Sequence, residues 1–417
     1  MGDGLAVSFC PGGDPFGCQA GAVYAFEREG SRWIQTQTII PPDIGFLDGF
    51  GAAVALDPLN PNRFLTVTAL KMGQGELGYG HIYEYDGELW VETARIPRPD
   101  GEPVGRSGFG RAAALYGDTA LVSQAGLVYR FREVGGQWAH EQTIERPPEV
   151  SELSYYANES VLMLGDWVFI GAYRDSSTGS PHGSPLHGSV IVYHRNPDGS
   201  LEYVQRMLPP EQPPLTEQSV NFGYGLAFDG TTLAVGARGV ERAFRSQGAV
   251  YIYELDGDIW TLRQEILSSM PAFRAGFGQS ISVYGDHLIT GHGRLDDYRA
   301  FAFQRGADGA WRETAVLRPG DGASSGPHDF GSTTALHGPW AIVGAHNEEP
   351  GGAAYAYNLA CFDCPADLDA DGDLTIFDFL SFANFFQDGD AQADFDGDGE
   401  LTIFDFLAYQ TAFDAGC

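Results

Sequence analysis

The sequence has almost no lysine, few cysteines and no long apolar run. Of its 24 basic residues only Lys71 is a lysine, and five cysteines are spread over 417 residues. No apolar stretch approaches the roughly 20 residues that a membrane-spanning helix needs. We therefore expect no membrane span. None of the cysteines has the spacing that is typical of a zinc site.

The cysteine positions favour disulfides in an oxidising compartment. A disulfide between Cys10 and Cys18 would close one loop, and one between Cys364 and Cys417 would join the ends of the C-terminal segment. Cys361 is then the odd cysteine, with no predicted disulfide partner. A redox Cys-x-x-Cys pair normally lies between a strand and a helix, whereas Cys361 and Cys364 lie in a linker. The N-terminus carries no signal peptide. We expect an extracellular or cell-surface protein whose true N-terminus precedes this sequence.

Catalytic and phosphate-binding motifs are also missing. The sequence contains no Gly-x-Ser-x-Gly elbow, His-Glu-x-x-His helix, phosphate loop or dinucleotide fingerprint, which disfavours an enzyme. The formal net charge is -32, and from Asp363 onward there are fourteen carboxylates and no Lys or Arg. Because such a surface repels phosphate backbones, we expect no nucleic-acid partner.

The residues that are abundant indicate an all-β protein. Glycine occurs 56 times, aromatic residues make up 13% and charged residues only 19% of the chain. A unit recurs every 45–65 residues or so, close to the length of a propeller blade. Its first strand follows a Phe-Gly pair, and a Gly-Asp or Asp-Gly turn then leads into a second strand of the type LAVGA. The Phe-Gly pairs are Phe50-Gly51, Phe109-Gly110, Phe222-Gly223, Phe277-Gly278 and Phe330-Gly331, with Tyr156-Ala157 as a degenerate copy.

The third and fourth strands of the unit set the predicted number of blades. Seven third strands resemble GAVYAFE, and they begin at Gly21, Gly80, Gly126, Gly188, Gly248, Arg299 and Gly352. An amphipathic fourth strand follows, with a Trp or Tyr and commonly a Gln or Glu three or four positions later. Four-stranded sheets bury their faces by stacking around an axis. We therefore predict a seven-bladed β-propeller over residues 1–358.

These repeats resemble the FG-GAP repeats that build the integrin alpha-chain propeller and many bacterial surface proteins. The resemblance rests on the Phe-Gly pair, the Val-Gly-Ala strand and the Gly-x-Val-Tyr-x-Tyr strand, over about residues 5–358. In that family several blades carry a calcium loop in the first hairpin. Here those hairpins have only short Gly-Asp turns, so the resemblance implies no calcium site in the propeller.

After a linker at 359–366, residues 367–417 contain a duplicated acidic segment whose copies are 27 residues apart. The copies read DLDADGDLTIFDFL from Asp367 and DFDGDGELTIFDFL from Asp394. This spacing of oxygen ligands is typical of a calcium loop, with a glycine at position 6 for the sharp turn. We predict two calcium ions. The predicted ligands are Asp367, Asp369, Asp371, Asp373, Thr375 and Asp378 in the first copy, and Asp394, Asp396, Asp398, Glu400, Thr402 and Asp405 in the second.

Aspartate at position 12, with no helix before the loop, resembles a dockerin repeat. The flanking Cys364-Pro365-Ala366-Asp367 and Gly416-Cys417 are similar to the anchoring domains of secreted planctomycete proteins. The resemblance implies a small all-α calcium-binding dockerin-like domain of paired EF-hand-like loop-helix units. It also implies that a cohesin-like or other cell-surface anchoring protein is the partner. Positions 10 and 11, usually polar in dockerins, are Ile376-Phe377 and Ile403-Phe404 here, which disfavours a cohesin of the cellulosomal kind.

The sequence favours a non-catalytic binding or adhesion protein whose propeller loops meet a protein or glycan ligand. The longest loops on the expected binding face are 174–187, 207–221 and 238–247. Arg238, Arg242 and Arg245 lie in the last of these loops, where they either bind an anionic ligand or are simply solvated. The alternative is a dockerin-bearing polysaccharide hydrolase or lyase, and a close pair of carboxylates on one propeller face would favour it.

Overall fold

The computed structural model of the chain describes most of the predicted strands and two C-terminal helices. The described residues are 21–29, 32–44, 48–68, 78–99, 109–124, 126–150, 160–176, 187–210, 219–292, 298–319, 329–346, 352–359, 366, 368, 374, 376–390, 393–395 and 399–415. All five cysteines and the Tyr156-Ala157 pair lie outside these residues, so the disulfide hypotheses remain predictions.

Five antiparallel four-stranded sheets follow one another along the chain. The first two contain β3 (Phe50–Asp57), β4 (Asn60–Thr68), β5 (Tyr79–Tyr85) and β6 (Trp90–Pro97), then β7 (Ala113–Tyr116), β8 (Thr119–Gln124), β9 (Leu127–Val134) and β10 (Gln137–Glu145). The next two contain β11 (Val161–Leu164), β12 (Trp167–Ala172), β13 (Ser189–Arg195) and β14 (Leu201–Met207), then β15 (Phe222–Phe228), β16 (Thr232–Ala237), β17 (Ala249–Asp256) and β18 (Ile259–Ile266). The fifth contains β19 (Ile281–Tyr284), β20 (His287–Gly291), β21 (Ala300–Arg305) and β22 (Trp311–Leu317).

Two smaller sheets complete the β-structure of the described residues. A three-stranded sheet contains β23 (Phe330–His337), β24 (Trp340–Ala345) and β25 (Ala353–Asn358), and a two-stranded hairpin contains β1 (Val23–Glu29) and β2 (Arg32–Ile39). The inner strands of successive blades contact one another in chain order from β3 to β23. The hairpin lies between the last and first blades, because Trp33 packs edge-on against Trp340 at 6.4 Å and Gly21 bridges to Phe50.

The burial of each strand follows its place in the blade. Every residue of β16 is buried, as are the first five of β17, because neighbouring blades cover both faces of these middle strands. The outer strand β6 instead alternates between exposed residues and partly or fully buried ones, as expected at an edge with one face in water. The apolar core is therefore a series of layers between adjacent blades.

A contact between glycine and phenylalanine joins neighbouring blades. Gly248, at the start of the third strand, forms a parallel bridge with Phe277 of the next blade. Its φ is +89°, and a Cβ at this position would collide with the Phe277 carbonyl oxygen, so only glycine fits. The equivalent contacts are Gly21 with Phe50 and Gly188 with Phe222. The phenylalanine of the Phe-Gly repeat is thus the buried partner of a glycine in the preceding sheet.

Glutamine side chains join the outer strands of neighbouring blades. The Gln264 amide donates to the Trp311 carbonyl at 2.8 Å and accepts from the Trp311 N–H at 2.8 Å. The same two bonds join Gln37 to Trp90 and Gln142 to Leu201. These bonds account for the glutamine that recurs in the fourth strand.

The predicted seven-bladed propeller is wrong. Six sheets of three or four strands form blades, and the seventh copy of the third-strand pattern, β1, pairs only with β2 among the described residues. The prediction counted only the third strand of each repeat. That count does not show how many strands pair to form each sheet. In the part of the chain that the structure describes, the ring therefore has six blades and one two-stranded hairpin.

The dockerin part of the predicted fold class is corrected as well. The helices among the described residues are α1 (Ile376–Asp388) and α2 (Ile403–Ala415), each 13 residues long. Most of the acidic segment before α1, and residues 396–398 of the one before α2, lie outside the described residues. Two short helices do not define a domain of paired EF-hand-like units, since such a unit is specified by its calcium loop.

We predict that Gln264→Leu lowers the free energy of unfolding by about 1–3 kcal/mol, because the Trp311 N–H and carbonyl lose their partner. Chemical denaturation of the full chain measures this change. Gln137→Leu is the control, since the Gln137 side chain is exposed and donates to the carbonyl of its own neighbour Gly136 at 3.2 Å. Equal stabilities of the two variants would contradict the role of the inter-blade glutamine.

Candidate functional site

Five of the twelve predicted calcium ligands lie among the described residues: Asp378, Asp394, Glu400, Thr402 and Asp405. The other seven lie outside them, namely Asp367, Asp369, Asp371, Asp373, Thr375, Asp396 and Asp398. Within the described ranges, no group of three or more His, Cys, Asp or Glu side chains is arranged to hold a metal ion. The ligand set therefore stays a prediction, and the described members can be examined individually.

Asp378 and Asp405 occupy the same place in the two copies, and both are 0% exposed. Oδ1 of Asp378 accepts a hydrogen bond from the Leu368 N–H at 2.8 Å, and Oδ1 of Asp405 accepts one from the Phe395 N–H at 2.8 Å. Each bond joins position 12 of the acidic segment to position 2. In both copies the start of the segment is therefore held against the carboxylate at its end.

More of the acidic turn is described in the second copy than in the first. Oδ2 of Asp405 accepts the Thr402 N–H at 2.6 Å, and the Thr402 hydroxyl accepts the Phe404 N–H at 3.1 Å, so this pair caps the start of α2. Oδ2 of Asp394 accepts the Gly399 N–H at 2.9 Å, and the φ of Gly399 is +83°. The glycine at position 6 thus makes the sharp turn that the sequence predicts.

No basic side chain is available to these carboxylates within their own segment. From Asp363 to the C-terminus the sequence has no Lys, Arg or His. Backbone N–H groups and the positive ends of α1 and α2 offset part of the two buried charges. Burial of a carboxylate is costly unless it is paired or hydrogen-bonded, and these hydrogen bonds reduce that cost at Asp378 and Asp405.

The two helices pack through aromatic side chains. The Phe382 ring stacks on the Tyr409 ring with centroids 4.3 Å apart, and Phe379 meets Phe406 edge-on at 6.1 Å. Each partner is the residue 27 positions further along the chain. The aromatic faces of the two helices therefore pack on each other, and the duplicated copies face each other.

Equivalent apolar residues at the start of each helix face solvent. Ile376 and Phe377 are 63% and 62% exposed, and Ile403 and Phe404 are both 63% exposed. Monomeric proteins rarely expose grouped large apolar side chains unless a partner covers them. We call these four residues the apolar pairs.

On the propeller, the predicted arginine cluster divides into separate environments. The Arg238 guanidinium lies 3.7 Å over the Tyr224 ring, and Arg242 forms a 2.7 Å ion pair with Glu265. Arg245 is exposed. Of the three predicted binding loops, 238–247 is described throughout, whereas most of 174–187 and 207–221 lies outside the described residues.

Sequence reasoning missed the loop that adjoins these arginines. Residues 267–280 connect β18 to β19 at the end of the blade where 238–248 connects β16 to β17. The Arg274 N–H donates to the Arg245 carbonyl at 2.8 Å, and the Phe277 N–H donates to the Gln247 carbonyl at 2.9 Å. The available signal was a run of fourteen residues without Asp or Glu in a strongly acidic chain.

Comparison with solved structures identifies the class of fold as a β-propeller. A protein assigned as a 6-phosphogluconolactonase from Bacteroides uniformis aligns with TM-score 0.54 and 12% identity over 85% of this chain and 95% of its own. Its counterpart from Bacteroides fragilis aligns with TM-score 0.51 and 11% identity over 85% and 94%. An α-L-arabinanase from Penicillium chrysogenum aligns with TM-score 0.47 and 14% identity over 74% and 93%. At these identities the likeness to the two Bacteroides proteins concerns the fold alone.

The family comparison is more specific. Residues 311–357, from β22 to β25, match the FG-GAP repeat family. This match supports the resemblance to FG-GAP repeats that the sequence indicates. No curated protein matches the chain significantly. Within its described part, the chain has no helix with the length and apolar character needed to cross a membrane.

We predict that Tyr409→Ala makes the C-terminal segment sensitive to protease, because replacing a buried aromatic residue by alanine costs about 3–5 kcal/mol. Limited proteolysis of the full chain with mass-spectrometric mapping of the cleavage sites tests this. Phe404→Ala is the control, because substitution of a side chain that is 63% exposed changes stability by only about 0.5 kcal/mol. Equal cleavage of the two variants would show that the aromatic stack does not hold the helices together.

Proposed function

We propose that this chain is a non-catalytic binding or adhesion protein of the extracellular space or cell surface. The propeller presents ligand-binding loops at one end of its blades. The C-terminal segment binds two calcium ions and attaches the protein to a cohesin-like or other anchoring partner.

The observation that carries the proposal is the matched burial of Asp378 and Asp405. Both carboxylates are removed from water, and both accept an N–H from the start of their acidic segment at 2.8 Å. A carboxylate that is buried in this way is stabilised further when a positive charge lies close to it. Because the segment contains no basic residue, a cation from solution is the charge that best completes each copy.

Calcium fits this donor set better than other cations. It takes six to eight oxygen ligands at flexible distances, whereas zinc and copper prefer nitrogen and sulfur. Asp367, Asp369, Asp371, Asp373, Thr375 and Asp378 would hold the first ion, and Asp394, Asp396, Asp398, Glu400, Thr402 and Asp405 the second. When bound, the ion supplies positive charge and cross-links the turn; it takes no part in a reaction.

The apolar pairs support attachment to a partner. Each pair lies in the first turn of its helix, next to the segment that calcium would order, so metal binding and docking are coupled through the same few residues. Large exposed apolar side chains near the centre of an interface contribute most of its binding energy. The anchoring partner should therefore present apolar pockets.

The described residues offer no comparable support for the alternative of a polysaccharide hydrolase or lyase. Asp43 and Glu92 lie close together, but the Arg95 guanidinium donates to both, at 2.9 and 3.1 Å. Burial alone would raise the pKa of the Glu92 carboxyl, yet hydrogen bonds from His81 and Arg95 lower it below its usual value. A general acid needs a raised pKa, so this pair suits a structural role.

Calcium titration by calorimetry tests the proposal on the full chain. We expect two sites, because each acidic copy completes one. Asp367→Ala should weaken one site by more than about 100-fold, beyond the loss typical of removing a hydrogen-bond partner of a ligand. Asp367→Ala combined with Asp394→Ala should abolish both sites.

Asp308→Ala is the control for these substitutions. Asp308 is an exposed propeller carboxylate that pairs with Arg312, and its loss should leave both calcium sites intact. Absence of calcium binding by the unmodified chain would overturn the proposal. So would binding that survives the double substitution.

A further inference from the structure

Two adjoining loops of the propeller carry a net positive charge, whereas the chain as a whole is strongly negative. The segments 238–248 and 267–280, which we call the arginine face, contain four arginines and a single carboxylate, Glu241. The whole chain has 24 basic and 56 acidic residues. Positive charge is therefore concentrated where both loops reach the same end of the blades.

Three of the four arginines have no carboxylate partner among the described residues. Arg242 is paired with Glu265 at 2.7 Å. Arg238 instead lies over the Tyr224 ring and donates to the Gln279 side chain at 3.4 Å, and Arg274 lies 5.2 Å from the Phe273 ring. Because an arginine fork binds carboxylates in a bidentate manner, these groups are suited to acidic ligands.

Exposed apolar side chains lie among these arginines. Phe244 and Phe273 are 45% and 52% exposed, and Met270 and Leu267 are 40% and 38% exposed. Protein interfaces are enriched in aromatic residues, methionine and arginine and are depleted in lysine, aspartate and glutamate. The arginine face has this composition in a chain that is otherwise rich in acidic residues.

Backbone hydrogen bonds hold the face in one shape. The N–H groups of residues 274, 276 and 277 donate in turn to the carbonyls of residues 245, 246 and 247, at 2.8, 3.1 and 2.9 Å. The buried Gln247 side chain accepts the N–H groups of Ala243 and Phe244, both at 2.9 Å. A surface ordered before binding loses less entropy when a partner docks.

We propose that the arginine face is a docking surface for an acidic protein segment in which carboxylates alternate with apolar or aromatic side chains. The carboxylates pair with Arg238, Arg245 and Arg274, and the apolar side chains cover Phe244 and Phe273. This inference rests on the proposed role of the propeller as a binding platform and is independent of the calcium sites. The chain as a whole has a net charge of -32, so its other surfaces repel a polyanion and confine it to this face.

Binding of a fluorescent random copolymer of glutamate and tyrosine to the full chain, measured by fluorescence anisotropy at low salt, tests the inference. Arg245→Glu combined with Arg274→Glu should weaken binding at least about tenfold, since it places like charges against the probe. The charge-matched control, Arg132→Glu combined with Arg312→Glu, changes exposed arginines at the opposite end of the blades and should leave binding unchanged.

A second pair of substitutions tests the apolar half of the surface. Phe244→Ser combined with Phe273→Ser should weaken binding of the glutamate–tyrosine copolymer but leave any binding of polyglutamate unchanged. If only the arginine substitutions matter, the face is a simple anion site and the inference fails. The thermal unfolding midpoint of each variant checks that it folds.

Two further probes identify other occupants. Polygalacturonate is the first of these probes. If it binds and the copolymer does not, and if the same arginine substitutions abolish its binding, the acidic-protein inference is overturned. The role of the propeller as a binding platform would remain. A lysine–tyrosine copolymer should not bind at this face, and its binding there would overturn the inference. Failure of every probe also overturns it, whereas failure of calcium binding overturns only the proposed attachment.

Discussion

The structure depends on how a small number of positive charges is distributed among many carboxylates. The chain has 24 basic and 56 acidic residues. In the propeller, buried carboxylates are met by arginines, as in the ion pairs of Asp57 with Arg63 at 2.6 Å and Asp175 with Arg206 at 2.5 Å. The C-terminal segment buries Asp378 and Asp405 and has no arginine to meet them. The divalent cation that we propose would supply positive charge there, and its binding would then be linked to the folding of this segment.

The propeller supplies a rigid support for the arginine face. Contacts such as Gly248 with Phe277 join the blades where the loops begin, and paired bonds such as those of Gln264 with Trp311 join their outer strands. Loops held at both edges keep the shape of the surface they carry. The two proposed binding regions are therefore built differently, because one is ordered by blade packing and the other is proposed to be ordered by metal.

Local sequence patterns predicted the strands well, because alternation of apolar residues and glycine turns act over a few residues. The third strands and the aromatic outer strands lie where their patterns indicate. The number of blades was not predictable in this way, because β1 carries the full third-strand pattern yet pairs only with β2 in the described part of the chain. Likewise, the spacing of Arg238, Arg242 and Arg245 suggested one cluster, but loop packing places Arg274 beside Arg245 and pairs Arg242 with Glu265.

Hydrogen exchange of the full chain, followed by mass spectrometry with and without a calcium chelator, tests most directly whether the acidic segment depends on metal. With calcium, backbone amides of peptides covering α1 and α2 should exchange slowly. After chelation they should exchange at rates near those of an unfolded chain, while peptides from β3 to β25 stay unchanged. Equal protection of α1 and α2 in both conditions would contradict the proposed dependence on calcium.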